Sequence, residues 1–420
     1  MHYADLLIHS ARMMATLKGH SDSPAVGEKM SEIGLIENGA VAIREGKIIA
    51  VGTTEEVRKA CLGPETKEIS AEGKVVTPGF VDPHTHVLYG GSRENELSLK
   101  LKGVPYLDIL KQGGGILSTV RSTKQASDEE IKTQTNRRLR TMLSFGTTTA
   151  EVKSGYGLTV EEELRALRLI HELDKEQAVD LVPTFMGAHA VPAGYSEEEF
   201  TDYVIDEMLP KAAAEGLAEF CDVFCEPGVF SLESSERILV KAQQLNLKLK
   251  MHADELESAG GAELAAKLGV VSADHLLKVS EAGIAALAQK GVIAALLPAT
   301  SFNLAKNSYA PAREMVRAGV PIALATDSNP GSSPTESMPL VLTIACLYLR
   351  LTPEEALAGA TINAAHAIGR ADQVGSLEVG KKGDVLILDI PNLNYLPYHF
   401  GNNPVEKVIK GGKLVWEAQA

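Results

Sequence analysis

His84 and His86 stand two residues apart at the end of an apolar run, in Pro78-Gly79-Phe80-Val81-Asp82-Pro83-His84-Thr85-His86. In a strand, residues i and i+2 face the same side. The two imidazoles can therefore converge on one point, and paired imidazole nitrogens suit a divalent cation. Alone, the pair reads equally well as two surface histidines in a turn. Later segments favour a metal. His252 follows the apolar run 247–251, and Asp327 follows 322–325. His84, His86, His252 and Asp327 form a four-ligand set suited to Zn²⁺ or iron. Such an ion lowers the pKa of a bound water and yields a nucleophile near neutral pH. Asp327 has a second role open to it, taking the proton from that water and passing it to a leaving nitrogen. The competing reading of Asp327 is a helix N-cap. Asn329-Pro330-Gly331-Ser332-Ser333-Pro334 makes an immediate helix a poor fit.

Elements must position these residues. Eight β-type runs are read at 79–82, 147–153, 179–186, 222–225, 247–251, 270–273, 292–297 and 322–325. Segments with helical apolar spacing lie between many of them, at 160–175, 196–215, 234–245 and 311–318. This alternation predicts an α/β fold, a (β/α)8 barrel of the TIM type over 78–374. The rival is a doubly wound open sheet, which would carry a nucleotide fingerprint after its first strand; none is present. Barrel chemistry gathers at the C-terminal ends of the strands. Five of the eleven histidines fall on those predicted ends: His84, His86, His189, His252 and His275. Residues 1–77 and 375–420 show short strands with Gly-containing hairpins, read as one small β-sandwich-like domain built from both termini.

Bulk properties narrow the class. The 420 residues suit one large domain plus a smaller one, and 45% hydrophobic residues permit a sizeable core. A formal charge of −14 makes nucleic acid and anionic membrane poor partners. The four cysteines form no Cys-x-x-Cys pair, which fits a reducing compartment; Cys221 and Cys225 read as core thiols. The N-terminus lacks the pattern of a signal peptide and no apolar run approaches the ~20 residues needed to span a bilayer, so the cytoplasm is expected. Gln112-Gly113-Gly114-Gly115 lacks the Gly-Lys-Ser/Thr ending of a phosphate cradle and reads as a flexible loop near the barrel mouth.

These motifs resemble the amidohydrolase superfamily and, within it, the imidazolonepropionase family. The resemblance is carried by 78–86 with Gly90-Gly91-Ser92-Arg93-Glu94, by 112–120, by 147–157, by Phe185-Met186-Gly187-Ala188-His189-Ala190, by His252-Ala253-Asp254-Glu255 and by 325–334. It implies the third step of L-histidine degradation, hydrolysis of 4-imidazolone-5-propanoate at its cyclic amide C–N bond to N-formimidoyl-L-glutamate. It implies one metal ion, zinc or iron, on His84, His86, His252 and Asp327. It implies substrate contacts from Arg93, Tyr156, His189, Glu255, Asn329, Gly331 and Ser332, and a homodimer. Binuclear relatives carry a lysine at the end of strand 4, where this chain has Cys225-Glu226-Pro227.

For that reaction, His275 is assigned beside the developing oxyanion. Glu255 is assigned to a ring N–H and to water or proton handling, or else to supporting a ligand histidine. Arg93 offers a planar fork for the propionate, with pairing to Glu94 or Glu96 as its alternative. Tyr156 is expected to donate to the same carboxylate or to the ring. Gly331 and Ser332 are expected to supply a backbone N–H and a hydroxyl. Lys153 is read as structural or as part of a salt bridge within its loop. The alternatives to this activity are a deaminase of aminopurines or cytosine, which needs no cation for a carboxylate tail, and a non-catalytic scaffold, which would have lost ligands.

Overall fold

The computed structural model describes residues 3–104 and 114–419. The chain opens with a meander, β1 (Leu6–Ala15), β2 (Leu35–Arg44) and β3 (Lys47–Thr53), paired antiparallel. Glu45 and Gly46 turn β2 into β3 with φ of 51° and 76°, the double positive φ that matches a two-residue hairpin to strand twist. Two further strands, β4 (Lys67–Ser70) and β5 (Val75–Pro78), run parallel to β1.

Eight parallel strands follow in chain order, each hydrogen-bonded to its sequence neighbours. They are β6 (Phe80–Asp82), β7 (Thr147–Lys153), β8 (Asp180–Ala188), β9 (Phe220–Cys225), β10 (Lys248–Ala253), β11 (Ser272–His275), β12 (Ile293–Leu296) and β13 (Ile322–Leu324). Nearly every residue in them is buried, because one face meets the barrel axis and the other meets the helices. The chain then returns through β14 (Val385–Leu388), antiparallel to β5, and the hairpin of β15 (Val405–Lys410) and β16 (Lys413–Glu417). Both chain ends thus contribute to one eight-stranded sheet. It is tied to the barrel at Asp180, whose Oδ2 accepts from Lys382 and Lys410 Nζ, both at 2.7 Å.

Two expectations shift. The strands at 247–251 and 270–273 extend to Ala253 and His275, so His252, Asp274 and His275 belong to the ladder rather than to loops after it. Parallel pairing of His252 with Asp274 and of Ala253 with His275 holds these polar residues in strand geometry. The segment 196–215 is not one helix. It runs Glu197–Tyr203, a wider turn at Val204–Met208, then Leu209–Ala214. Pro210 has no N–H to donate, and the widened turn before it absorbs that loss. Of the glycine run, Gln112 and Gly113 lie outside the described residues. Gly115, at φ 73°, starts the helix Ile116–Gln125.

Barrel closure rests on Asp82. Its Oδ1 accepts from the Thr326 N–H at 3.1 Å and its Oδ2 from Thr326 Oγ1 at 2.6 Å. Thr85 and Ser328 then pair as a parallel bridge, and the Asp327 N–H donates to the His84 carbonyl at 3.1 Å. The first and last barrel strands therefore meet where the proposed ligands stand. Asp82→Ala would strand a buried N–H and a buried hydroxyl, a loss of about 2–4 kcal/mol. Urea unfolding checks this; a loss below about 0.5 kcal/mol would show that closure does not depend on Asp82.

Candidate metal centre

His84 and His252 are each set by the strand that carries them and by the partner of the second nitrogen, whereas His86 Nδ1 has no hydrogen-bond partner among the described residues. His84 and His86 extend β6, and both side chains are buried. His84 Nδ1 meets Asp274 Oδ2 at 2.5 Å, and His252 Nδ1 meets Asp222 Oδ1 at 3.0 Å. A carboxylate only accepts, so each Nδ1 carries the proton and each Nε2 presents a lone pair. These lone pairs converge. His84 Nε2 lies 3.6 Å and His86 Nε2 3.7 Å from Asp327 Oδ1, and His252 Nε2 lies 3.3 Å from His86 Nε2.

The donor set fits a metal. Bonds of 2.0–2.1 Å at tetrahedral or trigonal angles place neighbouring donors about 3.3–3.6 Å apart, close to the three spacings above, while His252 groups with His84 and His275 rather than with Asp327. His84 Nε2 is buried with no hydrogen-bond partner among the described residues, and its lone pair faces the Asp327 Oδ1 carboxylate oxygen across 3.6 Å. Such an arrangement is unfavourable unless a cation lies between them. Burial raises the Asp327 carboxyl to about 7, and a cation at Oδ1 would reverse that rise. Three donor groups occur among the described residues: His84 with His86 and Asp327, His84 with His252 and His275, and His84 with Asp222 and Asp274. The last pair of carboxylates is already engaged by lysines: Lys153 Nζ is 2.7 Å from Asp222 Oδ2 and Lys250 Nζ is 3.8 Å from Asp274 Oδ2.

A cavity of about 500 Å³ opens over the donors. Of the residues expected at the site, all but His84 line it. His275 is buried, with both ring nitrogens lacking partners among the described residues, and burial pushes its imidazole well below the ordinary value. Glu255 Oε2 stands 3.7 Å from His275 Nδ1, and burial raises its carboxyl. His189 stacks on His86 at 4.7 Å and donates from Nδ1 to the Gly155 carbonyl at 3.1 Å. Burial pushes that imidazole down to about 3, so it faces the cavity neutral. Tyr156 packs between His189 and Tyr89, and burial raises its phenol.

Arg93 pairs with Glu96, one of the two partners its alternative reading named. Nε and Nη2 donate to Glu96 at 3.0 and 2.9 Å, yet the pair is buried in the cavity wall rather than exposed. Nη1 stays on the Gly331 side, where a Cβ would collide with it. The Gly331 N–H does not face the cavity freely. It donates to Asn329 Oδ1 at 2.8 Å, as does the Ser332 N–H, so Asn329 first organises its own loop. Lys153 is indeed in salt bridges, but inside the barrel and not within a loop. Sequence reading missed Asp222 and Asp274 as partners of the imidazoles, and Lys100 and Lys306 as cations of the wall. The acids had a signal: each is a lone charge inside an apolar run.

Comparison with known proteins fits this geometry. A model of the amidohydrolase family matches residues 75–415, and one of the bacterial imidazolonepropionase-like composite domain matches 39–60. The imidazolonepropionase of Alkaliphilus metalliredigens (strain QYMF) is 56% identical over 413 residues, covering 98% of each chain. That of Geobacillus kaustophilus (strain HTA426) is 51% identical, over 98% of this chain and 97% of its own. Among solved structures, a zinc-bound adenosine deaminase from Xanthomonas campestris superposes with a TM-score of 0.73 at 22% identity, over 98% of this chain and 93% of its own. A 5-methylcytosine deaminase from Klebsiella pneumoniae gives 0.73 at 17%, over 99% and 98%. At such identities these two show the fold. No described helix is long and apolar enough to cross a membrane.

Burial alone would lower the His252 imidazole, but Asp222 outweighs it and holds the group above its ordinary value. Proton and ion therefore compete for Nε2, and metal affinity should fall as pH drops through that raised value. Chelator competition between about pH 6 and 8 measures this. An affinity that does not vary with pH would contradict the assignment of His252 as a ligand.

Proposed function

We propose the residue roles below from one premise: the chain belongs to the amidohydrolase family and, within it, to the imidazolonepropionases. It is a hydrolase that opens the cyclic amide of 4-imidazolone-5-propanoate at a C–N bond, giving N-formimidoyl-L-glutamate, in histidine degradation. The observation that carries the roles is the single cavity lined both by the imidazole–carboxylate cluster and by Arg93.

His84, His86, His252 and Asp327 would hold one ion, zinc or iron. When bound, that ion supplies Lewis acidity to the attacking water and to the ring carbonyl. A single ion is favoured because β9 ends in Cys225-Glu226 with no lysine to bridge a second, and Glu226 is occupied. Its carboxylate accepts from the N–H groups of Glu255 and Leu256 at 2.5 and 3.1 Å.

Asp327 divides its oxygens. Oδ1 faces the imidazoles, and Oδ2 accepts from Thr300 Oγ1 at 2.7 Å. From there it can take a proton from water and deliver it to the departing ring nitrogen. His275, neutral in its buried setting, donates an N–H to the carbonyl oxygen as negative charge grows there. Glu255 orients His275 and accepts from a ring N–H. Arg93 binds the propionate through Nη1, and Tyr156 and Ser332 add hydroxyl donors beside it. His189 offers Nε2 as an acceptor to the ring, its other nitrogen being taken by Gly155. A wall bearing Arg93, Lys100 and Lys306 suits an anionic substrate better than a neutral base.

The direct test generates 4-imidazolone-5-propanoate from urocanate in situ and follows loss of its absorbance and appearance of formiminoglutamate. Metal without turnover would reject this substrate for the site and turn attention to aminated bases. Arg93→Ala should cut kcat/KM about 10- to 150-fold, the worth of one charge-assisted hydrogen-bonded contact of about 1.5–3 kcal/mol, mainly through KM. Metal content should not change. An unaltered KM would remove Arg93 from the propionate.

A further inference from the structure

Five charged side chains lie fully buried beneath the metal donors: Glu151, Lys153, Asp222, Lys250 and Asp274, each at 0% exposure. Burying so many charges costs free energy, and an apolar layer of similar volume fills most barrel interiors more favourably. Their contacts show an order. Lys153 Nζ donates to Glu151 Oε1 and to Asp222 Oδ2, both at 2.7 Å. The other oxygen of Asp222 accepts from the backbone N–H of His252 at 3.2 Å and from its Nδ1 at 3.0 Å. Glu151 Oε1 is held in turn by Thr184 Oγ1 at 2.5 Å. A continuous chain of contacts therefore runs from β8 through Glu151 and Lys153 to Asp222 and then to the imidazole of His252.

We propose that Lys153 is a positioning residue for the metal centre: it pins Asp222 so that His252 Nε2 points at the ion. The inference rests on reading His252 as a ligand. The carboxylate has two oxygens and two clients. With Oδ2 fixed by the ammonium group, Oδ1 has one orientation, and the imidazole plane follows it. Without the ammonium group Oδ2 loses its donor, the carboxylate is held through Oδ1 alone, and it loses its closest cation in a site from which water is excluded. Asp222, hydrogen-bonded directly to the ligand histidine, is the kind of partner whose removal typically changes metal affinity about 10- to 100-fold, and Lys153 acts one contact further out, through Asp222.

Lys153→Met keeps the length of the side chain and removes its charge. Metal-free protein would be titrated with Zn²⁺ against a chromophoric chelator, and with Co²⁺ while recording its visible spectrum. The variant should bind Zn²⁺ about 10-fold more weakly, the lower end of the range for a direct partner, and show an altered Co²⁺ band. Combined with Asp222→Asn, the loss should be smaller than the product of the two single losses, because both act on one contact. Lys381→Met is the control. That lysine is also buried but donates to Ser376 at 2.6 Å and to carbonyls, so its loss should lower stability and leave metal affinity unchanged. Wild-type protein that binds no metal would remove the ligand reading itself. Wild-type binding with an equally tight, spectrally unchanged and folded Lys153→Met would overturn the role of Lys153. Should Lys153→Met fail to fold, Asp222→Asn carries the test, since it keeps an oxygen for His252 and loses the ion pair; unchanged affinity there overturns the proposal.

Discussion

Everything at the mouth of this barrel depends on gathering imidazole nitrogens about a carboxylate oxygen: His84 and His86 Nε2 lie 3.6 and 3.7 Å from Asp327 Oδ1, and His252 Nε2 lies 3.3 Å from His86 Nε2. Left to themselves these groups repel or seek water. The fold prevents both. It takes the second nitrogen of His84 and of His252 into a hydrogen bond with a buried acid, fixing the tautomer, and it excludes solvent around them. The outcome is a pre-formed cavity for a cation, whose charge repays the burial of Asp222, Asp274 and Asp327.

The same device, a buried carboxylate collecting backbone N–H groups, recurs at several loops of the cavity wall. Glu96 accepts from Arg93 and from the Gly115 N–H at 2.8 Å. Glu163 accepts from Gly155, Gly157 and Leu158, which flank Tyr156. Glu226 and Asp254 do the same for the segments following β10. Each acid fixes a loop that carries a side chain facing the cavity. Precision at the site therefore comes from hydrogen bonds to the backbone more than from loop packing.

Backbone strain gathers at the same place. Asp254, His275 and Asp327 have φ of 49°, 75° and 53°, a region costly for residues with a Cβ. Ladder bonds beside them hold the geometry: the Leu276 N–H reaches the Ala253 carbonyl at 3.1 Å, the Lys278 N–H the Asp254 carbonyl at 2.8 Å, and the Asp327 N–H the His84 carbonyl at 3.1 Å. The turn at each strand end redirects the following chain while its polar side chain stays over the barrel axis.

The sequence by itself determined the barrel and which polar residues stand at its strand ends. Period two places His84 and His86 on one side, and polar residues that interrupt eight apolar runs mark strand ends whatever the neighbours are. The lack of a lysine at the end of β9 is likewise local. Tertiary structure alone decided which nitrogen of each imidazole faces the cavity, that Arg93 shares its fork with Glu96, that Asn329 spends its amide on its own loop, and that Lys153 leaves its loop for the barrel interior. The reason is register. Asp222 meets His252, and Asp274 meets His84, only because parallel ladders and closure at Asp82 and Thr326 bring distant strands level, and contacts across 30 and 190 residues leave no periodic trace in the chain.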